Sequence, residues 1–295
     1  MPGMDDRVGA GGVGSSGSSR IRRMALNKST SRIVVCMLAA AACLFAFASW
    51  DVRRPTSVDA AAAIQGVADE YGVEIVTDNP DFPVQSTHGV IDGKRAGHRQ
   101  VENYAGLFIC EFQLYPRELV RRSRLKRVVF CTDLSFAGEV RGAIPDFEHD
   151  TLYIDIVSGA YDKSYLRKGI HHEYFHMLDY RDDGLVYQDT EWKSLNSPGF
   201  AYGDGGKSVQ SIPTTSLLTA DYPGFLNHYS TTGVEEDKAE LFANMMVSQP
   251  YVMDRVRSDP VLNAKVLRMK AILAAFCPEV DGAFWDRARN ATRRN

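Results

Sequence analysis

Apolar positions along residues 60–290 follow two periods, and their alternation lays out a mixed architecture. Residues 60–71 and 101–121 carry them at helical spacing, the second stretch broken at Pro116, whose ring removes a backbone donor. Residues 73–77 and 125–131 (LKRVVFC) read as strands, and residues 151–157 (TLYIDIV) alternate as a further strand. That strand runs into residues 162–180 (DKSYLRKGIHHEYFHMLDY). There Tyr165, Ile170, Tyr174, Phe175, Met177 and Leu178 surround a helix that is apolar on most sides, the pattern of one buried in a domain centre. Residues 234–246 (VEEDKAELFANMM) place Ala239, Leu241, Phe242, Ala243, Met245 and Met246 at helical spacing, with acids at the start where they favour the helix dipole. Residues 250–290 predict two or three helices that cap the domain, with Trp192 and Trp285 as packing anchors. Between the two central helices, residues 181–228 are rich in Gly and Pro and show little period, so they form either a cleft wall or lid, or a flexible solvated connection.

The first fifty residues follow a different pattern. Residues 8–19 (VGAGGVGSSGSS) are a Gly/Ser tract expected to be disordered. Arg20, Arg22, Arg23, Lys28 and Arg32 then precede the uncharged run 33–50 (IVVCMLAAAACLFAFASW). A basic flank before an apolar block predicts export, with residues 51–295 secreted or otherwise extracytoplasmic. Ala46-Phe47-Ala48 suits signal-peptide cleavage, whereas an uncleaved run would leave a membrane anchor through residues 33–50. Residues 51–295 then form one domain.

Within the central helix stands His172-Glu173-Tyr174-Phe175-His176, an HExxH motif. Histidines at i and i+4 share a helix face with Cβ atoms about 5–6 Å apart, close enough for both rings to reach one metal ion. Glu173 can act as a base on water activated by that metal without ligating it, which is the chemistry of zinc-dependent peptide hydrolysis. His171 lies outside the pair and reads as solvated or supporting. A catalytic zinc needs a third protein ligand. Positions 179 and 182 are both Asp, which excludes the metzincin pattern of Gly and His there. Glu236 and Glu240 share one helix face: one can ligate and the other can accept the outer N–H of a ligand histidine, while Glu235 and Asp237 read as solvent-facing. Asp179 and Asp183 are the next choices for the third ligand. Tyr229 and His228 are alternative hydrogen-bond donors to a developing oxyanion.

HEYFHMLD, followed by Tyr229 and then EDKAE, resembles the gluzincin-type metallopeptidases, in particular the catalytic domain of anthrax lethal factor and a group of bacterial zinc-binding metallopeptidases. The resemblance implies that His172, His176 and Glu236 bind zinc, that Glu173 is the base, that Glu240 supports a ligand from outside, and that Tyr229 faces the metal. It also implies an α+β zincin-like fold with a small mixed sheet and an HExxH active-site helix, in which the strand before that helix is an edge that pairs with an extended peptide.

The formal charge is −3, and the first fifty residues hold six basic against two acidic side chains, so residues 51–295 carry −7, which argues against nucleic acid as a partner. Outside the leader, Cys110, Cys131 and Cys277 permit one disulfide, with Cys110 to Cys131 as the candidate, or three reduced thiols. The expectation is hydrolysis of a peptide or protein substrate with one Zn2+ per chain. Two alternatives stand beside it: a catalytically idle zincin fold that binds peptides, and a zinc amidase acting on cell-wall peptides.

Overall fold

The structure, a computed structural model, describes residues 57–209, 212 and 214–293. The leader and the apolar run 33–50 lie outside the described residues, and among the described residues no helix is long and apolar enough to cross a membrane. The fold is α+β, as expected, with a small mixed sheet and several helices.

Strand β4 (Arg127–Phe136) organises a seven-stranded sheet. It runs parallel to β1 (Glu74–Val76) and β7 (Thr151–Asp155) and antiparallel to β3 (Gly89–Arg95) and β5 (Glu139–Val140). β2 (Val84–Ser86) forms a hairpin with β3, and β6 (Ala143–Asp146) lies antiparallel outside β7. The two-residue side-chain period sorts the sheet faces. Val128, Phe130, Leu152 and Ile154 join the main core, whereas Val129, Cys131, Ile144 and Tyr153 build a smaller cluster on the other face.

One sequence expectation changes here, and one open choice, the state of the cysteines, is narrowed to free thiols. β7 is buried along its whole length between β4 and β6, so the terminal strand on that side is β6. Pro145 within β6 suits that position because it has no N–H to leave unpaired. Cys110, Cys131 and Cys277 are all free. Cys110 is exposed, while Cys131 belongs to the cluster on the far face of the sheet, where its Sγ meets the Ile154 carbonyl oxygen at 3.4 Å.

The main-core face is covered by α1 (Ser57–Tyr71), α2 (His98–Phe112), α3 (Arg117–Ser123), α4 (Lys163–Asp182) and α6 (Val234–Val247). Pro116 is the N-cap of α3, which explains the break after α2. Buried Asp155 ends β7: its carboxylate accepts from the N–H groups of Leu134, Val157 and Ser158, turning the chain toward α4. Asp162 then caps α4 by accepting from Ser164 and Tyr165 N–H. Helix α4 packs along α6, where Phe175 and Phe242 lie 5.2 Å apart and are both buried. Truncating either would cost about 3–5 kcal/mol. α5 (Thr190–Ser194), α7 (Gln249–Arg255), α8 (Pro260–Phe276) and α9 (Gly282–Asn290) complete the domain, with Trp192 and Trp285 buried as expected.

Candidate metal centre

The close packing of α4 on α6 brings side chains from two distant stretches of sequence to one point. His172 and His176 project from successive turns of α4 with their rings 4.9 Å apart and nearly perpendicular. Their Nε2 atoms are separated by 3.2 Å, and Glu236 Oε2 lies 3.1 Å from the first and 3.7 Å from the second. Metal–ligand bonds of about 2.0–2.1 Å in a tetrahedral site put neighbouring donors about 3.3–3.4 Å apart, so these spacings fit one zinc ion. Two imidazole nitrogens facing each other at this distance cannot both carry hydrogens. One hydrogen shared between them, or one cation to which both turn a lone pair, meets that condition.

Glu240 is bound from several sides. Its Oε1 lies 3.1 Å from His172 Nδ1, and its Oε2 takes the Lys168 ammonium at 3.2 Å and the Asn227 amide. This contact fixes which nitrogen of His172 faces Glu236. Asn227 was not singled out in the sequence, where an isolated Asn in a Gly/Pro-rich stretch has no periodic signature. Its Oδ1 accepts from Ser230 N–H and Oγ, both at 2.9 Å, and so anchors the short 3-10 turn Tyr229–Thr231. From that turn the Tyr229 hydroxyl donates to Glu236 Oε1 at 3.0 Å.

Residues 203–209 pack against this corner as a wall. Gly203 and Gly205 donate their N–H groups to the Thr231 and Thr232 carbonyls at 3.1 and 2.7 Å. A Cβ on Gly206 would meet Tyr229 Oη at 2.2 Å and Glu236 Oε1 at 2.5 Å, so only glycine lets the backbone approach this closely.

Other residues lie elsewhere. Asp179 is buried against Lys238 at 2.7 Å, and exposed Asp183 accepts from Leu185 N–H, so neither reaches the histidine pair. His228 stacks on Tyr222, with ring centroids 5.4 Å apart. His171 is neither solvated nor beside the ligands: it is fully buried, 3.1 Å from Glu111 and hydrogen-bonded to Tyr115. Tyr165, expected in the core, is 43% exposed. Asp237 is only 2% exposed, because Trp192, Tyr202 and Lys265 close over it from other segments.

The electrostatics follow from these partners. Burial pulls the His172 imidazole down, but hydrogen bonds to Glu236 and Glu240 outweigh it and raise the pKa to about 10. Burial pushes Glu236 up, yet its bonds to both histidines hold it far below the usual carboxylate range. Glu240 likewise overcomes burial through Lys168 and His172 and falls to about 2. Glu173 has no hydrogen bond or ion pair among the described residues; burial raises its pKa, with Glu236 adding to the effect and His172, His176 and Arg141 opposing it. Tyr229 is pushed well above 10 by burial and by the Glu236 and Glu173 carboxylates, so its hydroxyl stays protonated.

No family model and no curated protein matches the chain. Among solved structures, one from Bacteroides caccae named as a putative zinc-binding metallo-peptidase superposes with a TM-score of 0.44 and 14% identity, over 77% of this chain and 90% of that one.

Proposed function

We propose that the chain is a zinc-dependent peptide hydrolase of zincin-like design, with His172, His176 and Glu236 as metal ligands. One observation carries the reading: three donors of the right chemical types, from segments sixty residues apart, converge within 4.8 Å while a separate carboxylate, Glu240, holds one of them in register. A bound zinc would polarise a carbonyl and lower the pKa of water to about 7. Glu173 follows the first ligand by one position and has no competing partner among the described residues, so it takes the proton from water and returns it to the leaving amine. The Tyr229 hydroxyl, which donates to Glu236, would donate to the oxyanion during the reaction. β6 is the edge on which an extended substrate would pair, in place of β7. The leader would deliver the domain outside the cytoplasm.

Glu173→Gln tests the base. It should retain zinc and melting temperature while peptide hydrolysis falls about 10²–10⁴-fold. Undiminished turnover in that variant would sink the mechanism.

A further inference from the structure

The wall segment and the start of α6 also border a cavity of about 650 Å³. It adjoins the metal centre, since Glu235 in its lining precedes Glu236 and Gly205 precedes Gly206, which touches Glu236 and Tyr229. Three rings, Tyr187, Phe200 and Tyr202, line it. Three side-chain donors along the lining are committed. The Tyr202 hydroxyl donates to Asp237 at 2.6 Å, the Thr232 hydroxyl to the Tyr229 carbonyl at 2.7 Å, and the exposed Lys193 to the Tyr187 carbonyl at 3.3 Å.

Two carboxylates on the lining lack an ion pair among the described residues. The Glu235 carboxylate curls over Gly233, where a Cβ would come within 2.3 Å of its Oε1, and it forms no ion pair among the described residues. Asp204 stands exposed at the rim, also without an ion pair among the described residues. Aromatic walls beside carboxylates that form no ion pair among the described residues suit a ligand that brings an alkyl stem and several N–H donors.

We propose that this cavity receives a lysine or arginine side chain of the peptide substrate, its stem against the rings and its cationic head on the Glu235 and Asp204 carboxylates. The proposal rests on the peptidase reading above and names its substrate class.

The test uses the zinc-loaded chain and neutral peptides in which one residue, scanned through the positions flanking the cleaved bond, is Lys, Arg, norleucine or Glu. At one position Lys and Arg should raise kcat/KM about tenfold over norleucine. Glu235→Gln and, separately, Asp204→Asn on the rim should each reduce that ratio, with zinc content measured because Glu235 adjoins a ligand. Equal rates for Lys and norleucine at every position would overturn the proposal and leave the peptidase reading standing. Cleavage of no peptide would instead overturn the peptidase reading. The cavity is then judged by titrating the same peptides into the chain calorimetrically: tighter binding of Lys peptides, weakened in Asp204→Asn, upholds a basic-side-chain site, and equal binding removes it.

Discussion

Helix α6 carries two charged clusters one residue apart. On one face Glu236 and Glu240 meet His172 and His176; on the next, Asp237 and Lys238 meet Lys265, Trp192, Tyr202, Asp179 and Asp189. Both are deeply buried, and they differ in how their charges are matched. Each carboxylate of the second cluster faces a protein ammonium within 3.4 Å, Asp179 and Asp189 sharing that of Lys238. The first turns two imidazole nitrogens and a carboxylate oxygen toward a common centre, where among the described residues no lysine or arginine pairs with Glu236. A buried acid is therefore a structural strut or a ligand according to what closes its charge.

Breaking the paired cluster should have the largest effect on stability. Asp237→Ala strands the Lys265 ammonium and removes the acceptor of Trp192 and Tyr202, which should cost about 3–5 kcal/mol in chemical denaturation while the folded fraction still binds one zinc. Loss of zinc from folded Asp237→Ala would show that the two clusters are not separable. Tyr229→Phe should act in the opposite way: kcat about 10²–10³-fold lower, with zinc content and melting temperature nearly unchanged. A kcat within about threefold of wild type would make Tyr229 a packing residue, and a large loss in His228→Ala would transfer the role to that histidine. Glu240→Gln keeps the shape but weakens the hold on His172, so competition with a chelator should report zinc affinity about 10–100-fold lower. Unchanged affinity there would leave Lys168 and Asn227, not His172, as the reason for Glu240.

The comparison also shows what the sequence makes legible. The i, i+4 spacings of His172/His176 and Glu236/Glu240 are local, and a regular helix turns each into a shared face. Asp237 looked solvent-facing because acids at a helix start usually are; its partners come from α5, the stretch at Tyr202, and α8, contacts that no spacing encodes. His171 was misplaced for the same reason, since Glu111 and Tyr115 belong to a distant helix and its following turn. β6 escaped notice because Ala-Ile-Pro-Asp is short and contains a proline, and without it β7 reads as the edge. The hairpin of β2 and β3 is mostly polar and lacks a clean alternation. The wall at 203–209 has no period; it is held by backbone hydrogen bonds and by the room Gly206 leaves.

The central claim is that the imidazole–carboxylate cluster, and not its ion-paired neighbour, holds zinc. Metal analysis of the purified chain after zinc loading and exhaustive dialysis tests it most directly, with Glu236→Ala and Asp237→Ala measured beside wild type. The account predicts one zinc per chain in wild type and in the folded fraction of Asp237→Ala, and almost none in Glu236→Ala, where only two histidines remain. Full retention of zinc by Glu236→Ala, or its absence from wild type, would contradict it.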